Sequence, residues 1–366
     1  MYSFLYKGLL RLLATLAATS SRRGGSLLPM VRKTSRQNPI YILEKDYNML
    51  DQYNRSIDYL RISLTDRCNL HCQYCQPDVT EYVAHENILR YEEILRICQA
   101  AVRLGIHKFK ITGGEPLVRN GCADFIAKLK QVEGVEQVTL TTNGTLLSKF
   151  LSELLAAGVD SVNISLDTTD AEQYNKLTGG VLNEALAGIE AAKRVGLPFK
   201  LNCVPLQGMS IAEIMRILQF AEGYQAPLRF IELMPLACNS SLQGLAGVEI
   251  REAFIQQGVQ LTPDAVSYGN GPAQYYRLSG YKIPIGFIEP IHNRFCAACN
   301  RVRLTSVGFL KTCLYSNDGI NLAQLIRNGI SDGELEQKLR QTIFMKPWGH
   351  KFDVQPAGFK MSQIGG

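Results

Sequence analysis

Six strand-like segments alternate with amphipathic helical segments between residues 58 and 235 of this 366-residue chain. The strand-like segments are DYLRISL, KFKIT, VEQVTLTT, DSVNISLD, FKLNCVPL and PLRFIELM. The segments between them have apolar residues at helical spacing, and Ser210 with Glu213 forms a capping box that predicts a helix over 211–223. This alternation predicts an α/β fold in which a parallel sheet is built through right-handed crossovers.

Each predicted strand is apolar in one phase and polar in the other. The polar phase comprises Arg61, Ser63, Thr65, Lys110, Thr112, Thr139, Thr141, Asn163, Ser165, Asp167, Lys200 and Asn202. A doubly wound sheet is covered by helices on both faces and would be apolar in both phases. An eight-stranded barrel would fill its interior with Val, Ile and Leu. We therefore predict an incomplete, TIM-like (β/α)6 barrel over 51–235 that encloses a polar ligand.

Two groups of three cysteines are separated from the other four cysteines. Cys68, Cys72 and Cys75 follow the first strand as C-x₃-C-x₂-C, and the second group lies in the C-terminal region, 236–366, at Cys296, Cys299 and Cys313. Structural zinc takes four protein ligands, and His71 is a crowded candidate for a fourth ligand in the first group. An iron–sulfur cube held by three cysteines leaves one iron open to a small molecule. The spacing alone leaves both kinds of site open.

The first cysteine group and the later TGGEP motif, Thr112–Pro116, together resemble the radical S-adenosylmethionine (radical SAM) enzymes. In that superfamily the open iron chelates the methionine part of S-adenosylmethionine, and electron transfer to the sulfonium releases a 5′-deoxyadenosyl radical. The resemblance implies a [4Fe-4S] cluster on the first cysteine group. It also implies contacts to S-adenosylmethionine from Tyr74, Gly114, Ser165 and Met234.

A longer series of motifs, from about Asp51 to Gly366, closely resembles the GTP 3′,8-cyclase family, the molybdenum cofactor biosynthesis protein A (MoaA) family. In order, the motifs are DYLRISLTDRCNLHCQYCQP, KITGGEPLVR, TTNG, NISLD, FIELMP, FCAACNRVRLT and MSQIGG. The resemblance implies that the second cysteine group holds another [4Fe-4S] cluster and that the Gly365–Gly366 tail reaches into the active site. It implies contacts to GTP from Arg61, Lys110, Thr141, Lys200, Arg301 and Arg303.

The resemblance also implies catalytic roles for Arg61, Arg301 and Arg303. Arg301 and Arg303 alternate in sequence, so both side chains should project from one face of a strand, where paired guanidiniums suit phosphate. The side chain of Arg229 could either face the site or form an ion pair on the surface. The family commonly has arginine where this chain has Lys110, which replaces a two-pronged phosphate contact by a point charge.

The implied reaction cyclises GTP to (8S)-3′,8-cyclo-7,8-dihydroguanosine 5′-triphosphate in molybdenum cofactor biosynthesis. The deoxyadenosyl radical abstracts hydrogen from C3′ of the ribose, the carbon radical attacks C8 of the guanine, and reduction by one electron with uptake of one proton gives the cyclic product. The product passes to cyclic pyranopterin monophosphate synthase. Two other hypotheses stay open, a peptide-modifying radical SAM maturase with an auxiliary cluster and a zinc-binding scaffold protein. The sequence does not determine the electron donor or the oligomeric state, for which a homodimer is one option.

Residues 1–40 have the composition of a mitochondrial transit peptide, because they are basic, free of acidic residues and apolar at helical spacing. A secretory signal and a disordered tail are the alternatives. Seven Lys and Arg residues precede Glu44, so this segment accounts for the net charge of +6 and the rest of the chain is near neutral. We therefore expect a location in the mitochondrial matrix, no nucleic-acid partner and no membrane span.

Overall fold

The computed structural model describes residues 48–75, 82–235, 242–350 and 361–365. The predicted transit peptide, Cys238 and Gly366 lie outside these ranges. Strands of the described residues form one mixed sheet. The strands are β1 (Tyr59–Ser63), β2 (Lys108–Thr112), β3 (Gln137–Thr142), β4 (Ser161–Ser165), β5 (Phe199–Cys203), β6 (Leu228–Ile231), β7 (Leu261–Asp264), β8 (Gln274–Leu278), β9 (Pro284–Ile288), β10 (Arg301–Leu304), β11 (Phe309–Lys311) and β12 (Gly319–Asn321).

Helices connect the successive parallel strands, and others lie between β6 and β7 and after β12. The helices are α1 (Tyr91–Arg103), α2 (Cys122–Lys130), α3 (Leu147–Ala156), α4 (Ala171–Thr178), α5 (Leu182–Arg194), α6 (Ile211–Tyr224), α7 (Gly247–Gln256), α8 (Leu322–Arg327), α9 (Asp332–Phe344) and α10 (Met361–Ile364). The predicted capping box opens α6, where Glu213 N donates to Ser210 Oγ over 3.3 Å and Ser210 N donates to Glu213 Oε2 over 2.6 Å. Within the described ranges, no helix has the length and apolarity needed to cross a membrane.

Strands β1 to β6 lie side by side in chain order, and each neighbouring pair is parallel. Each crossover between them contains at least one helix. A parallel sheet whose strands are joined through helices is the architecture that strand–helix alternation predicts. The α/β prediction is therefore confirmed.

Two strands of the C-terminal region extend this parallel sheet, one at each edge. Strand β9 pairs with β6, and β10 pairs with β1 so that Arg303 is the register partner of Arg61. Antiparallel strands then follow on both sides, β8 and β7 beyond β9, and β11 and β12 beyond β10. Strand β10 follows Cys296 and Cys299 of the second cysteine group, and β1 precedes the first group. The pairing of these two strands therefore attaches the two groups to neighbouring strands of the sheet. The division between the barrel, 51–235, and the C-terminal region, 236–366, stays a prediction. The sheet contains strands from both sides of it.

The apolar phase of the six strands packs under the helices, as the sequence predicts. These side chains are at most 1% exposed: Leu60, Ile62, Phe109, Ile111, Val138, Leu140, Val162, Ile164 and Leu201. They form one core with helix residues such as Ile94, Phe125, Leu151 and Ile214. Since each fully buried side chain of this size stabilises the fold by about 1.5–3 kcal/mol, this layer holds the helices on the sheet. The polar phase is thereby turned toward the other face.

Helix α5 packs against the start of α3 through a glycine. A Cβ atom at Gly188 would lie 2.2 Å from the carbonyl oxygen of Gly144 and 3.1 Å from Leu147 Cβ. Distances this short between non-bonded atoms cannot be accommodated without moving the backbone. Glycine at this position therefore sets how closely the two helices approach.

We expect Gly188→Ala to lower the free energy of unfolding by about 1–3 kcal/mol, because the added methyl group overpacks the contact between α3 and α5. Gly223→Ala is the matched control, since Gly223 lies in α6 and a Cβ atom there would meet nothing within 4 Å. That control should be neutral or stabilising, because alanine favours helix over glycine. Urea unfolding followed by circular dichroism checks both variants, and equal stabilities would contradict the packing argument.

Candidate functional site

The polar phase of the strands lines the interior of the incomplete barrel, which contains three adjoining cavities. The mouth cavity has a volume of about 170 Å³ and lies at the carboxyl ends of the strands, beside Thr112, Ser165 and Asp167. The base cavity has a volume of about 100 Å³ and lies at the amino ends, beside Tyr59 and Ser161. The cysteine cavity has a volume of about 150 Å³ and contains the second cysteine group. Ile231 lines all three, so the cavities are neighbours.

The mouth cavity brings together every residue that the resemblance assigned to the first cluster and to S-adenosylmethionine. Its lining includes Cys68, Cys72, Cys75, Tyr74, Gly114, Ser165 and Met234. These residues come from the loop after β1 and from the ends of β2, β4 and β6. Parallel strands end at one edge of the sheet, which explains how residues so distant in sequence converge. Their placement agrees with the prediction, and their individual roles stay predictions.

Burial keeps two thiols of the first cysteine group, those of Cys68 and Cys72, protonated until a metal binds. Burial raises the pKa of Cys68 to about 11 and raises that of Cys72 well above its usual range, so a metal must displace protons as it binds. The nine described cysteines form no disulfide bonds with one another. In the described part of the chain, no three His, Cys, Asp or Glu side chains surround the position of one ion. An iron–sulfur cube does not require such convergence, because each thiolate binds a different iron.

The TGGEP motif holds the end of β2 against the start of the cysteine loop. A Cβ atom at Gly114 would lie 2.4 Å from the carbonyl oxygen of Arg67. Gly114 N donates to Thr65 O over 2.8 Å, and Glu115 N donates to Arg67 O over 2.9 Å. Glycine is needed here because the two backbones touch. The motif thus shapes the wall of the mouth cavity as well as lining it.

Glu115 is a buried hub that the sequence did not single out. Its carboxylate accepts hydrogen bonds from Leu117 N, the Thr142 hydroxyl and Asn143 N at 2.7–3.0 Å. Burial raises the pKa of Glu115 to about 7, and these donors partly oppose that rise. Asn143 in turn donates from Nδ2 to Asn69 Oδ1 over 2.9 Å, beside Cys68. This network ties β2, the TTNG turn and the cysteine loop into one unit.

Tyr74 in the cysteine loop is joined to the end of β4. Its hydroxyl donates to Asp167 Oδ2 over 2.6 Å, and Asp167 Oδ1 accepts from Val204 N over 2.8 Å. Burial raises the pKa of Asp167 to about 6. The strand phase indicated that Asp167 faces the interior, but its partnership with Tyr74 depends on the folded loop. The bond fixes the tyrosine that precedes the third cysteine.

The base cavity is lined by several cations, of which Arg229 is buried and the others are half-buried. Its lining includes Arg61, Lys110, Thr141, Lys200, Arg229 and Arg301. Among the described residues that form this lining, none is Asp or Glu. Arg229 is 8% exposed and donates from Nε to Asn202 Oδ1 over 2.8 Å, so it faces the cavity and is not part of a surface ion pair. The structure thus decides between the two options that the sequence left for this residue.

The electrostatics of the base cavity call for an anion. Burial, reinforced by neighbouring cations, lowers the pKa of Lys110 well below its usual range. Burial also lowers the pKa of Arg61 to about 10, and burial together with Arg229 lowers that of Lys200 to about 8. Buried charge is stable only when it is paired. Several cations that enclose one space are therefore arranged for a ligand with several negative charges, such as a polyphosphate.

The cysteine cavity joins the second cysteine group to the two arginines of β10. Cys296, Cys299, Cys313, Arg301 and Arg303 all line it, together with Gly365 from the C-terminal segment. Arg303 Nη1 donates to Gly365 O over 2.9 Å. The position of Gly365 agrees with the expectation for the glycine tail, whose role stays a prediction, and Gly366 lies outside the described residues.

Lys346 is a buried cation beside the second cysteine group that sequence reasoning missed. Its Nζ donates to Arg301 O over 3.0 Å and to the carbonyl oxygen of Thr312. Burial raises the pKa of Cys299, but the positive charges of Lys346 and Arg301 outweigh that effect and lower it overall. A lowered thiol pKa favours the thiolate form that binds iron. The surroundings of Cys299 therefore favour its binding to a metal cluster.

Arg55 connects the segment before β1 to the second cysteine group. It is 7% exposed, and its Nε donates to Asp51 Oδ2 over 2.6 Å. Its Nη1 donates to Cys296 O and to Trp348 O, each over 2.8 Å. Asp51 and Arg55 are the first and last residues of the segment DQYNR, which precedes β1. The opposite charges of these two residues, four positions apart, are the sequence feature from which their ion pair could have been predicted.

Comparison with known proteins agrees with this architecture. The family model described as Radical SAM superfamily matches residues 62–221, and that described as Molybdenum Cofactor Synthesis C matches residues 226–352. Among solved structures, Streptococcus suis SuiB bound to precursor peptide SuiA has a TM-score of 0.58 and 16% identity, with coverage of 94% of this chain and 78% of that chain. Native anSMEcpe with bound AdoMet has a TM-score of 0.51 and 17% identity, covering 79% and 82%. These structural similarities show a shared fold.

Curated relatives are considerably more similar in sequence. The GTP 3′,8-cyclase of Thermodesulfovibrio yellowstonii is 41% identical over 324 residues, which are 87% of this chain and 100% of that protein. The GTP 3′,8-cyclase of Heliobacterium modesticaldum is 41% identical over 327 residues, again 87% and 100%. Identity of this level across whole relatives, together with both family models, shows that the chain belongs to the GTP 3′,8-cyclase family of radical SAM enzymes.

Proposed function

We propose that this protein cyclises GTP to (8S)-3′,8-cyclo-7,8-dihydroguanosine 5′-triphosphate, within molybdenum cofactor biosynthesis. The observation that carries the proposal is the acid-free, cation-lined base cavity that adjoins both cysteine groups. A triphosphate supplies the negative charge that this cavity lacks. The bacterial relatives are named GTP 3′,8-cyclase, and from that name we take GTP as the nucleotide and cyclisation as the reaction.

As a member of the radical SAM superfamily, this enzyme uses S-adenosylmethionine and an iron–sulfur cluster. We assign the first [4Fe-4S] cluster to Cys68, Cys72 and Cys75, and a second [4Fe-4S] cluster to Cys296, Cys299 and Cys313. The clustering of each group on one cavity supports this assignment. When bound, the first cluster and S-adenosylmethionine supply the carbon radical that abstracts hydrogen from the substrate.

The protein's own contribution is to position the reactants and to exclude water. Tyr74, Gly114, Ser165 and Met234 would hold S-adenosylmethionine in the mouth cavity. The triphosphate would bind to the cations of the base cavity, namely Arg61, Lys110, Lys200 and Arg229, and to the hydroxyl of Thr141. Arg301 and Arg303 would hold the substrate beside the second cluster, where Arg303 also positions Gly365.

Two alternative functions fit the site less well. A peptide-modifying maturase has no need for a cavity lined by several cations and by no described Asp or Glu, and the similarity to peptide-bound SuiB is one of fold. A zinc scaffold would place a fourth ligand near the first cysteine group. His71, the candidate for that role, is exposed and is absent from the described lining of the mouth cavity.

The remaining partners and the location belong to the same proposal. The product would pass to cyclic pyranopterin monophosphate synthase, and a cellular reductant of unknown identity would supply electrons. A homodimer is compatible with the chain. Delivery to the mitochondrial matrix is supported by the composition of residues 1–40, although the relatives named above are bacterial.

The proposal is tested by purifying the protein without oxygen and measuring iron, sulfide and zinc. We expect about eight irons per chain, since each of two cubes contains four. Adding GTP, S-adenosylmethionine and a reductant should give 5′-deoxyadenosine and a cyclised product with the mass of GTP. If the protein contains zinc and no iron, every radical SAM function is excluded. If 5′-deoxyadenosine forms while GTP is not converted, the enzyme acts on another substrate.

Arg303→Ala should retain both clusters but lose cyclisation. The variant removes a guanidinium from the cysteine cavity and breaks the bond to Gly365, so the substrate and the tail both lose their position. Product formation should fall at least 100-fold, a loss of about 2.7 kcal/mol in transition-state stabilisation. Arg340→Ala is the control, because Arg340 is an exposed residue of α9. Normal cyclisation by the Arg303 variant would refute its role.

GTP affinity should depend on pH through Lys200. In the free protein, burial and Arg229 lower the pKa of Lys200 to about 8, and bound phosphate would raise it again. Below pH 8 the lysine is charged in both states, whereas above pH 8 binding requires proton uptake. Affinity should therefore weaken above pH 8, by at most about tenfold per pH unit for this group.

Lys200→Arg should reduce that pH dependence, because arginine stays protonated. Lys193→Arg is the matched control, since Lys193 is exposed and donates to Tyr224 O over 2.9 Å, outside the base cavity. Anaerobic titration calorimetry between pH 7 and pH 9 measures the slopes. The same slope in the Lys200 variant and in the wild-type protein would assign the titration to another group.

A further inference from the structure

The amino ends of the barrel strands are covered by the loop that connects β7 with β8. We define residues 267–272 of this connection as the base loop. Gly269, Asn270, Gly271 and Pro272 from this loop line the base cavity together with its cations. The base loop is therefore part of the wall that encloses whatever the cations bind.

The backbone of the base loop lies directly on two of the cations. A Cβ atom at Gly269 would be 3.4 Å from Lys200 Nζ, and one at Gly271 would be 3.9 Å from Arg229 Nη1. Gly269 has a φ of +147°, which disfavours other residues. A ligand that reaches Lys200 and Arg229 from inside the barrel would thus also reach the loop.

The base loop is held in place by hydrogen bonds of Ser267, Tyr268 and Asn270. Asn270 Nδ2 donates to Gln137 Oε1 at the start of β3, across the cavity edge. Ser267 Oγ donates to Gly269 O over 2.8 Å, and the Tyr268 hydroxyl donates to Asp264 Oδ2 over 2.8 Å. These bonds preorganise the loop, so it has a defined position before a ligand arrives.

On its outer side, this part of the wall faces an open depression of about 440 Å³. Lys200 and Tyr268 line that depression, and Lys200 also lines the base cavity. A thin layer made of the Lys200 side chain and the base loop therefore separates the cavity from solvent. The position of the loop sets how deep the base cavity is.

The depth of the base cavity matters if the proposed function is correct, and the inference rests on that function. The nucleoside would lie between the two cysteine groups, so its phosphates would extend toward the amino ends of the strands. The terminal phosphate of a triphosphate would be the group closest to Lys200 and the base loop. A diphosphate would end one phosphate earlier and leave that end of the cavity unfilled.

We propose that the base loop, held to β3 by the Asn270–Gln137 bond, is a specificity element that selects a nucleoside triphosphate over the diphosphate. Its backbone closes the end of the base cavity against the terminal phosphate and keeps Lys200 and Arg229 directed inward. Loss of the tether lets this wall move outward, which weakens the contacts of the terminal phosphate and leaves those of the inner phosphates in place.

The experiment measures binding of GTP and of GDP to the anaerobic protein with its clusters, by titration calorimetry. In the wild-type protein GTP should bind more tightly than GDP. Asn270→Ala should weaken GTP binding about three- to tenfold, the range that one hydrogen bond supports, and should leave GDP binding nearly unchanged. The matched control is Asn293→Ala, which removes an exposed bond of the same kind, from Nδ2 to Gln274 Oε1 over 2.9 Å, outside the three cavities.

Gln137→Ala removes the other partner of the tether and serves as the second variant. It should lower the preference for GTP to the same degree, and the double variant should show no further loss. Equal weakening of GTP and GDP binding, or no change in the ratio, would overturn the inference. Failure of the wild-type protein to bind GTP would instead overturn the proposed function, so the two ideas fail in different ways.

Discussion

The rest of this structure depends on one constraint, which is the gathering of several cations around a cavity whose described lining contains no Asp or Glu. Arg61, Lys110 and Arg229 are held close together by the strands that carry them. Burial lowers the pKa of all three, and repulsion from neighbouring cations lowers the pKa values of Arg61 and Lys110 further. The barrel accepts this repulsion, which a hydrophobic interior would avoid. Since a bound anion relieves it, ligand binding and stability of the folded barrel are linked.

The sheet explains how the two cysteine groups come to share one interior. Strand β10 pairs with β1, so the second group is attached to the strand that leads into the first. Buried polar contacts then lock the arrangement, through Arg55 to Cys296 O, through Lys346 to Arg301 O and through Arg303 to Gly365 O. The site is thus assembled by elements from both ends of the described chain, and its geometry depends on their mutual hydrogen bonds.

Particular residues show how far sequence reasoning could go. Alternation along each strand identified which side chains face the interior, and Lys110, Thr141 and Lys200 all line the base cavity as expected. The period of a strand is local, so it can be read from one segment. Glu115, Lys346 and Asn270 were missed, because each matters through partners far away in sequence. The strand pairs β1–β10 and β6–β9 were missed for the same reason.

The amino-acid sequence by itself determined the chemistry of this protein: six cysteines in two groups of three, cations in the inward phase of the strands, and motifs that identify the family. Tertiary structure decided which residues distant in sequence come together around the cavities. It turned Arg229 into the base cavity, brought Gly365 to Arg303 and placed the β7–β8 connection over Lys200. Side-chain direction follows from backbone geometry within a few residues, whereas contacts between distant strands depend on which sheet edges pair and bury the most surface.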